Sequence, residues 1–359
     1  MIPVPYYITV YYITISFITL ILCTKLFESN KVKIESISKN KIWSVVLLLV
    51  TILFIGLRDP WGAFEYFGDT ITYSSAFVYY STYIFVDDLF RDIGFSALMK
   101  FCSSFMTISM FYLFCAFLYV YPVYITFIKW FDNFAIYALL IYVLAMSFLS
   151  FGINGVRNGL AVSFFIFAMG NINKKWLMIL FMFLAASMHK SILLPIILFF
   201  VCRFIKNIKW TIFIWFISIP ACLLTGNTIL NFTQTFLSGI ISDTRMSNEI
   251  MLNNIGFRLD FLIYSAVAIG FGWFYVIKKK FNDKFYIQLL NTYILTNAVW
   301  IAVFMYDPYT NRYAFLSWCI MPIVMVYPLL KENFMKNKYR FIGYLAFGSL
   351  LFSWIIFLK

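Results

Sequence analysis

Apolar runs near the length needed to cross a hydrocarbon core recur along the whole chain, and charged residues fall almost entirely in the joints between them. The runs fall near 3–23, 42–57, 104–128, 133–150, 157–172, 176–188, 191–202, 210–226, 259–277, 285–304, 313–330 and 341–358. This pattern predicts an all-α polytopic membrane protein with about twelve membrane segments. It predicts a single integral membrane domain over 1–359, with long outward loops near 58–103 and 227–258. The first run, MIPVPYYITVYYITISFITLILC, has neither a basic flank nor a small-residue cleavage site, so it reads as the first span.

Composition agrees with the pattern. The chain is 63% hydrophobic and 12% charged, with mean hydropathy +0.87, against about 45–50% and about 25% in soluble domains. The cysteines Cys23, Cys102, Cys115, Cys202, Cys222 and Cys319 are scattered through apolar stretches without metal or redox spacing, and read as packing residues.

A net charge of +13 would point to nucleic acid in a soluble chain. Here the basic residues cluster in alternate joints: TKLFESNKVKIESISKNK, NKKW, CRFIKNIKW, KKKFNDK and KENFMKNKYR. The positive-inside rule makes these cytoplasmic, so the excess reports topology and implies no nucleic-acid partner. The rule also constrains 176–202, which has lysines or arginine at both ends. A single straight helix there would measure roughly 40 Å against a core of about 30 Å. The stretch therefore reads as two short spans or a re-entrant hairpin, with His189-Lys190-Ser191 at an outward tip.

The two sides differ in the kind of basic residue as well as in number. Inward joints are lysine-rich, with only Arg203 and Arg340, whereas Arg58, Arg91, Arg157, Arg245, Arg258 and Arg312 all fall outward. Lysine and arginine serve topology equally, but the planar guanidinium fork suits phosphate and carboxylate oxygens. The asymmetry points to an outward anion site. Local pairing competes with that reading at Arg91, beside Asp87, Asp88 and Asp92; Asp59, Asp243, Asp260 and Asp307 offer other local partners. Arg157 has no acid near it in sequence, which favours the anion reading.

Four stretches carry candidate chemistry. GLRDPWG places Arg58 at the end of the second span, and FGDTITY follows with Asp69 and Tyr73. Asp69 reads equally as the cap of a helix starting at Thr70 and as a functional carboxylate, with Tyr73 one turn on. NGVRNGLA sets Arg157 and Asn158 between glycines at a helix start, where small neighbours let an anion approach. LAASMHKSILL holds His189, the one histidine, next to Lys190; ionisable groups at membrane depth are expensive and are functional candidates by default. A histidine there can take a hydroxyl proton near neutral pH. TNRYAFL carries Arg312, and the loop ending NNIGFRLDF supplies Arg258. One histidine and no paired acidic motif argue against a divalent metal, and no cofactor is expected.

GLRDPWG with FGDTITY, NGVRNGLA, LAASMHKSILL and TNRYAFL, in this order over residues 50–330, resemble the EpsG-like family of bacterial exopolysaccharide and O-antigen polymerases, the Wzy-type enzymes. The chain departs from the family's glycine-threonine-aspartate run, since Gly68 meets Asp69 directly. The resemblance places the family's arginines on Arg58, Arg157 and Arg312 and its histidine on His189. It implies features of the membrane-embedded glycosyltransferase fold. It also implies undecaprenyl-diphosphate-linked glycans, membrane lipid and a chain-length regulator protein as partners, and a bacterial inner membrane location with the site facing outward. On that expectation Arg58, Tyr73, Arg157, Asn158, Lys190, Arg258 and Arg312 contact diphosphate or glycan, while His189, ahead of Asp69, accepts the proton. Rival readings are an O-antigen ligase, a membrane O-acetyltransferase, and a lipid-linked oligosaccharide flippase. Charges gathered at outward edges disfavour the flippase.

Overall fold

The computed structural model describes residues 3–27, 41–82, 92–226, 228, 256–307, 310–332, 335 and 337–357. Every regular element among them is helical. Six helical stretches are long and apolar enough to cross a membrane: Val4–Phe27, Ile108–Val143, Ile208–Thr225, Leu259–Lys278, Lys284–Phe304 and Thr310–Lys331. The chain is a multi-pass helical membrane protein.

The sequence pattern predicts about twelve segments, and the difference lies in short helices. Ile42–Gly56, Ile93–Ser103, Val156–Met169, Lys175–Met188 and Lys190–Cys202 have only 10–17 residues each. The run expected over 133–150 is itself broken, because Ala145 is extended and one helix ends at Val143 before the next begins at Met146.

The described residues form two compact units, one comprising Met1–Ile192 with Leu329–Lys359, the other Leu193–Pro328. In the first unit the helices are α1 (Val4–Phe27), α2 (Lys41–Gly56), α3 (Thr70–Thr82), α4 (Ile93–Ser103), α5 (Ile108–Phe131), α6 (Ala135–Val143), α7 (Met146–Ile153), α8 (Val156–Met169) and α9 (Lys175–Met188). In the second they are α10 (Leu193–Cys202), α11 (Ile208–Thr225), α12 (Leu259–Trp273), α13 (Lys284–Val299) and α14 (Thr310–Trp318). Helix α15 (Met321–Lys331) runs from the second unit into the first, and α16 (Lys338–Phe357) ends the chain.

Helix α5 is the spine of the first unit. The Thr107 hydroxyl caps it by accepting from the Met110 amide, and it stops where Asp132 turns to φ 47°. It packs on both α2 and α8. Gly56 permits the close approach of α2, since a Cβ there would lie 2.7 Å from the Leu113 Cα. Helix α16 returns along α1, and the Trp354 indole donates to the Ser16 hydroxyl at 2.8 Å. Ile13, Phe17 and Leu20 of α1 are exposed, an apolar outer face suited to lipid.

The second unit is built around α13, which is the least apolar-looking of its long helices and yet is buried. Gln288, Asn291, Thr292, Thr296 and Asn297 are all interior. Polar groups in lipid or protein interior need partners, and all of these but the Thr296 hydroxyl have one. The Asn297 amide donates to the Ser265 and Ser317 hydroxyls at 2.9 and 3.0 Å and accepts from the Trp215 indole at 2.7 Å. Asn291 accepts from Thr211 at 2.7 Å, and Gln288 donates to the Phe199 carbonyl at 2.8 Å. One polar stripe thus ties α10, α11, α12 and α14 to α13.

Candidate functional site

Helices α8 and α9 are consecutive, closely packed and 14 residues each, so each is about 21 Å long, short of a full hydrocarbon core. The start of α8 carries Arg157 and Asn158; the end of α9 delivers His189, where the backbone turns extended (φ −159°, ψ 123°) before a 3-10 turn over Lys190–Ile192. A break at His189 separates the stretch 176–202 into two short helices, α9 and α10.

The centre of this end of the pair is a residue that is not among the predicted site residues, Asp92, buried just ahead of α4. Its Oδ2 accepts from Arg157 Nη1 at 2.5 Å and lies 2.9 Å from His189 Nδ1. Its Oδ1 accepts from the Lys190 backbone amide at 3.2 Å. Burial pushes the Asp92 carboxyl up, but the His189 hydrogen bond, the His189 and Arg157 charges and the Lys190 amide together outweigh it and hold the group below its ordinary value. The sequence offers Asp92 as a local partner for Arg91. In the structure its carboxylate is engaged by groups 65 and 97 positions away.

Other predicted residues join the same cluster. Tyr73, one turn into α3, is buried with its hydroxyl 3.5 Å from Arg157 Nε, a long contact, and its ring 6.0 Å from the guanidinium. The Ser191 hydroxyl donates to Asn158 Oδ1 at 3.3 Å. Lys190 is exposed, and His189 retains 24% of its side-chain surface, so both are open to a reactant. Gly94 lets α4 press onto α9: a Cβ there would sit 2.9 Å from the Ser187 carbonyl carbon.

The side-chain partner of His189 is Asp92, and the contacts of Asp69 run to other residues. The Asp69 amide donates to Asn154 Oδ1 at 2.8 Å and its carbonyl accepts from Tyr73 at the start of α3. Gly68 makes this turn possible, with φ +53° and no room for a Cβ against Asn154.

Arg58 is fully buried rather than open at a membrane edge. Its Nε donates to Thr70 Oγ1 at 3.0 Å, its Nη1 to the Ile55 carbonyl at 2.6 Å, and it stacks 4.0 Å over the Tyr112 ring. Its Nη2 has no acceptor. A cavity of about 520 Å³ adjoins it, walled by Val4, Tyr7, Leu53, Phe54 and Phe67, and the Asp92 cluster is not part of that wall.

In the second unit, Arg258 forms a two-pronged pair with Asp260 at 2.9 and 2.7 Å and lies 3.7 Å over Phe261, so its fork is occupied locally. Arg312 is half-buried in the first turn of α14. Arg91, Asp87, Asp88, Asp243 and Arg245 lie outside the described residues. Among the described residues no three His, Cys, Asp or Glu side chains come together as metal ligands.

Fold and site define a multi-pass helical membrane protein with an ionic cluster buried where two sub-length helices end. The EpsG family model matches residues 41–359, and the chain belongs to that family, one of glycosyltransferase-like polymerases. No curated protein and no solved structure matches the chain.

Proposed function

We propose that the protein polymerises a lipid-linked glycan on the extracytoplasmic face of the bacterial inner membrane. A growing chain is moved from undecaprenyl diphosphate onto a hydroxyl of a fresh lipid-linked repeat unit. The observation that carries this reading is the gathering of Arg157, His189, Lys190, Asn158 and Tyr73 around Asp92.

The chemistry asks for two things there. The acceptor oxygen attacks the anomeric carbon while the bond from that carbon to the diphosphate oxygen breaks. The hydroxyl proton passes to His189, and the bonding electrons leave with the diphosphate. The Arg157 guanidinium held on Asp92 and the exposed Lys190 side chain are the groups that would stabilise the negative charge of the leaving group. Such stabilisation needs no proton transfer and no metal ion. About twelve crossings fit this reading if the short helices pair into thinner passages beside the site. The placement of the exposed Lys174 and Lys175 at the other end of α9 supports this sidedness.

The test is the length of the host's surface glycan. His189→Ala should leave single repeat units with the protein still inserted. Arg157→Lys keeps a cation for Asp92 but loses the fork, and should shorten the chains. Retention of single-unit caps separates a polymerase from a ligase, whose loss removes the caps too. Long chains of normal length in His189→Ala would overturn the assignment.

A further inference from the structure

Asp92 makes three contacts from a buried position, and two of them fix the His189 ring. Oδ2 holds Nδ1 at 2.9 Å, and Oδ1 holds the next backbone amide at 3.2 Å, so the carboxylate grips both the imidazole and the turn that carries it. A carboxylate accepts and cannot donate. Nδ1 must then bear a proton, and in the neutral ring Nε2 carries the lone pair, on a side chain that keeps 24% of its surface exposed. Arg157 Nη1, on the same Oδ2 at 2.5 Å, keeps the carboxylate ionised and fixes it to α8.

We propose that Asp92 is a positioning residue that sets the His189 tautomer, making Nε2 the atom that takes the acceptor proton. Among the described residues, the charged and titratable groups around His189 include Asp92 from the head of α4, Arg157 and Tyr73 through that carboxylate, and Lys190 beside it. Asp92 touches no substrate in this scheme. It acts through the ring it holds, as a second carboxylate-bound imidazole nitrogen does wherever the first must be a base. This inference rests on His189 as proton acceptor, but its main test does not.

His189 is the one histidine of the chain, so ¹⁵N-histidine labelling of the full-length protein in lipid nanodiscs reports a single imidazole. With the ring neutral, the wild-type nitrogen shifts should show Nδ1 protonated and Nε2 bare. Arg157→Lys leaves the Asp92–His189 bond in place and should keep that pattern. Asp92→Ala removes the acceptor and should move the proton largely to Nε2, the favoured site of a free imidazole. Glycan extension should then fall about 10²-fold or more, the usual worth of a positioned general base. A wild-type ring protonated at Nε2 would overturn the proposal even if the alanine variant does not fold. An unchanged tautomer in Asp92→Ala would overturn it as well. Normal glycan in His189→Ala would remove the polymerase reading while leaving the tautomer result readable.

Discussion

At the scale of single residues, charge in this molecule is held by partners far away in sequence. Arg157 looks isolated because no acid is within a turn or two of it, yet its partner is Asp92. Removing either member of a buried pair leaves an uncompensated charge and costs roughly 3–5 kcal/mol. The Asp92 carboxyl is held below its ordinary value, so its stabilisation is complete above the unfolded value of about 4 and is lost as pH falls through the lower folded value. Wild type should therefore be more stable than Asp92→Asn at neutral pH by roughly 2–4 kcal/mol. The gap should begin to narrow below about pH 4 and shrink further as pH falls towards the lower folded value. Thermal unfolding in detergent across pH 3–8 checks this; a gap independent of pH would mean the carboxylate charge is not what stabilises.

At the scale of elements, the site depends on how closely α4 meets α9. Gly94 lies two residues after Asp92, and a Cβ there would meet the Ser187 side chain at 2.3 Å and its backbone carbon at 2.9 Å. The serine hydroxyl can rotate away, but the backbone cannot. Gly94→Val should push the helices apart and draw Asp92 off His189. Glycan extension should drop at least tenfold, while α-helix content by circular dichroism stays close to wild type. Full activity in Gly94→Val would show that the contact between the helices is not tight enough to matter. Gly68 acts similarly for α3, where a left-handed turn seats Asp69 and Thr70 on the end of α7.

For the whole molecule, the lengths of α8 and α9 set the depth of the chemistry. Two helices of about 21 Å place the Asp92 cluster at one end and exposed lysines at the other, across less than one full hydrocarbon thickness. All six native cysteines are buried, so introduced thiols should stand out against a low background. Lys190→Cys should react with an impermeant maleimide added outside intact cells, and Lys174→Cys only after the membrane is opened. Labelling of both from the same side would contradict the sidedness and, with it, the extracytoplasmic reaction.

The short apolar arms around His189 are visible in the bare chain, because hydrocarbon thickness and the placement of lysines constrain them directly. So are His189, Lys190 and Arg157, since an ionisable group in an apolar run has few bland explanations. Asp92 could not be picked out, because Asp87, Asp88 and Asp92 share one loop and local pattern does not rank them. The burial of Arg58 was equally hidden, since it depends on Tyr112 and Thr70 closing over the end of α2.

The amino-acid sequence alone determined that this is a membrane protein, roughly where it bends, and which cations are expensive, because solvation by lipid acts on each segment separately. Only the tertiary structure decided which carboxylate meets which cation. That choice is made by helix packing between segments far apart in the chain, and a one-dimensional pattern carries no record of it.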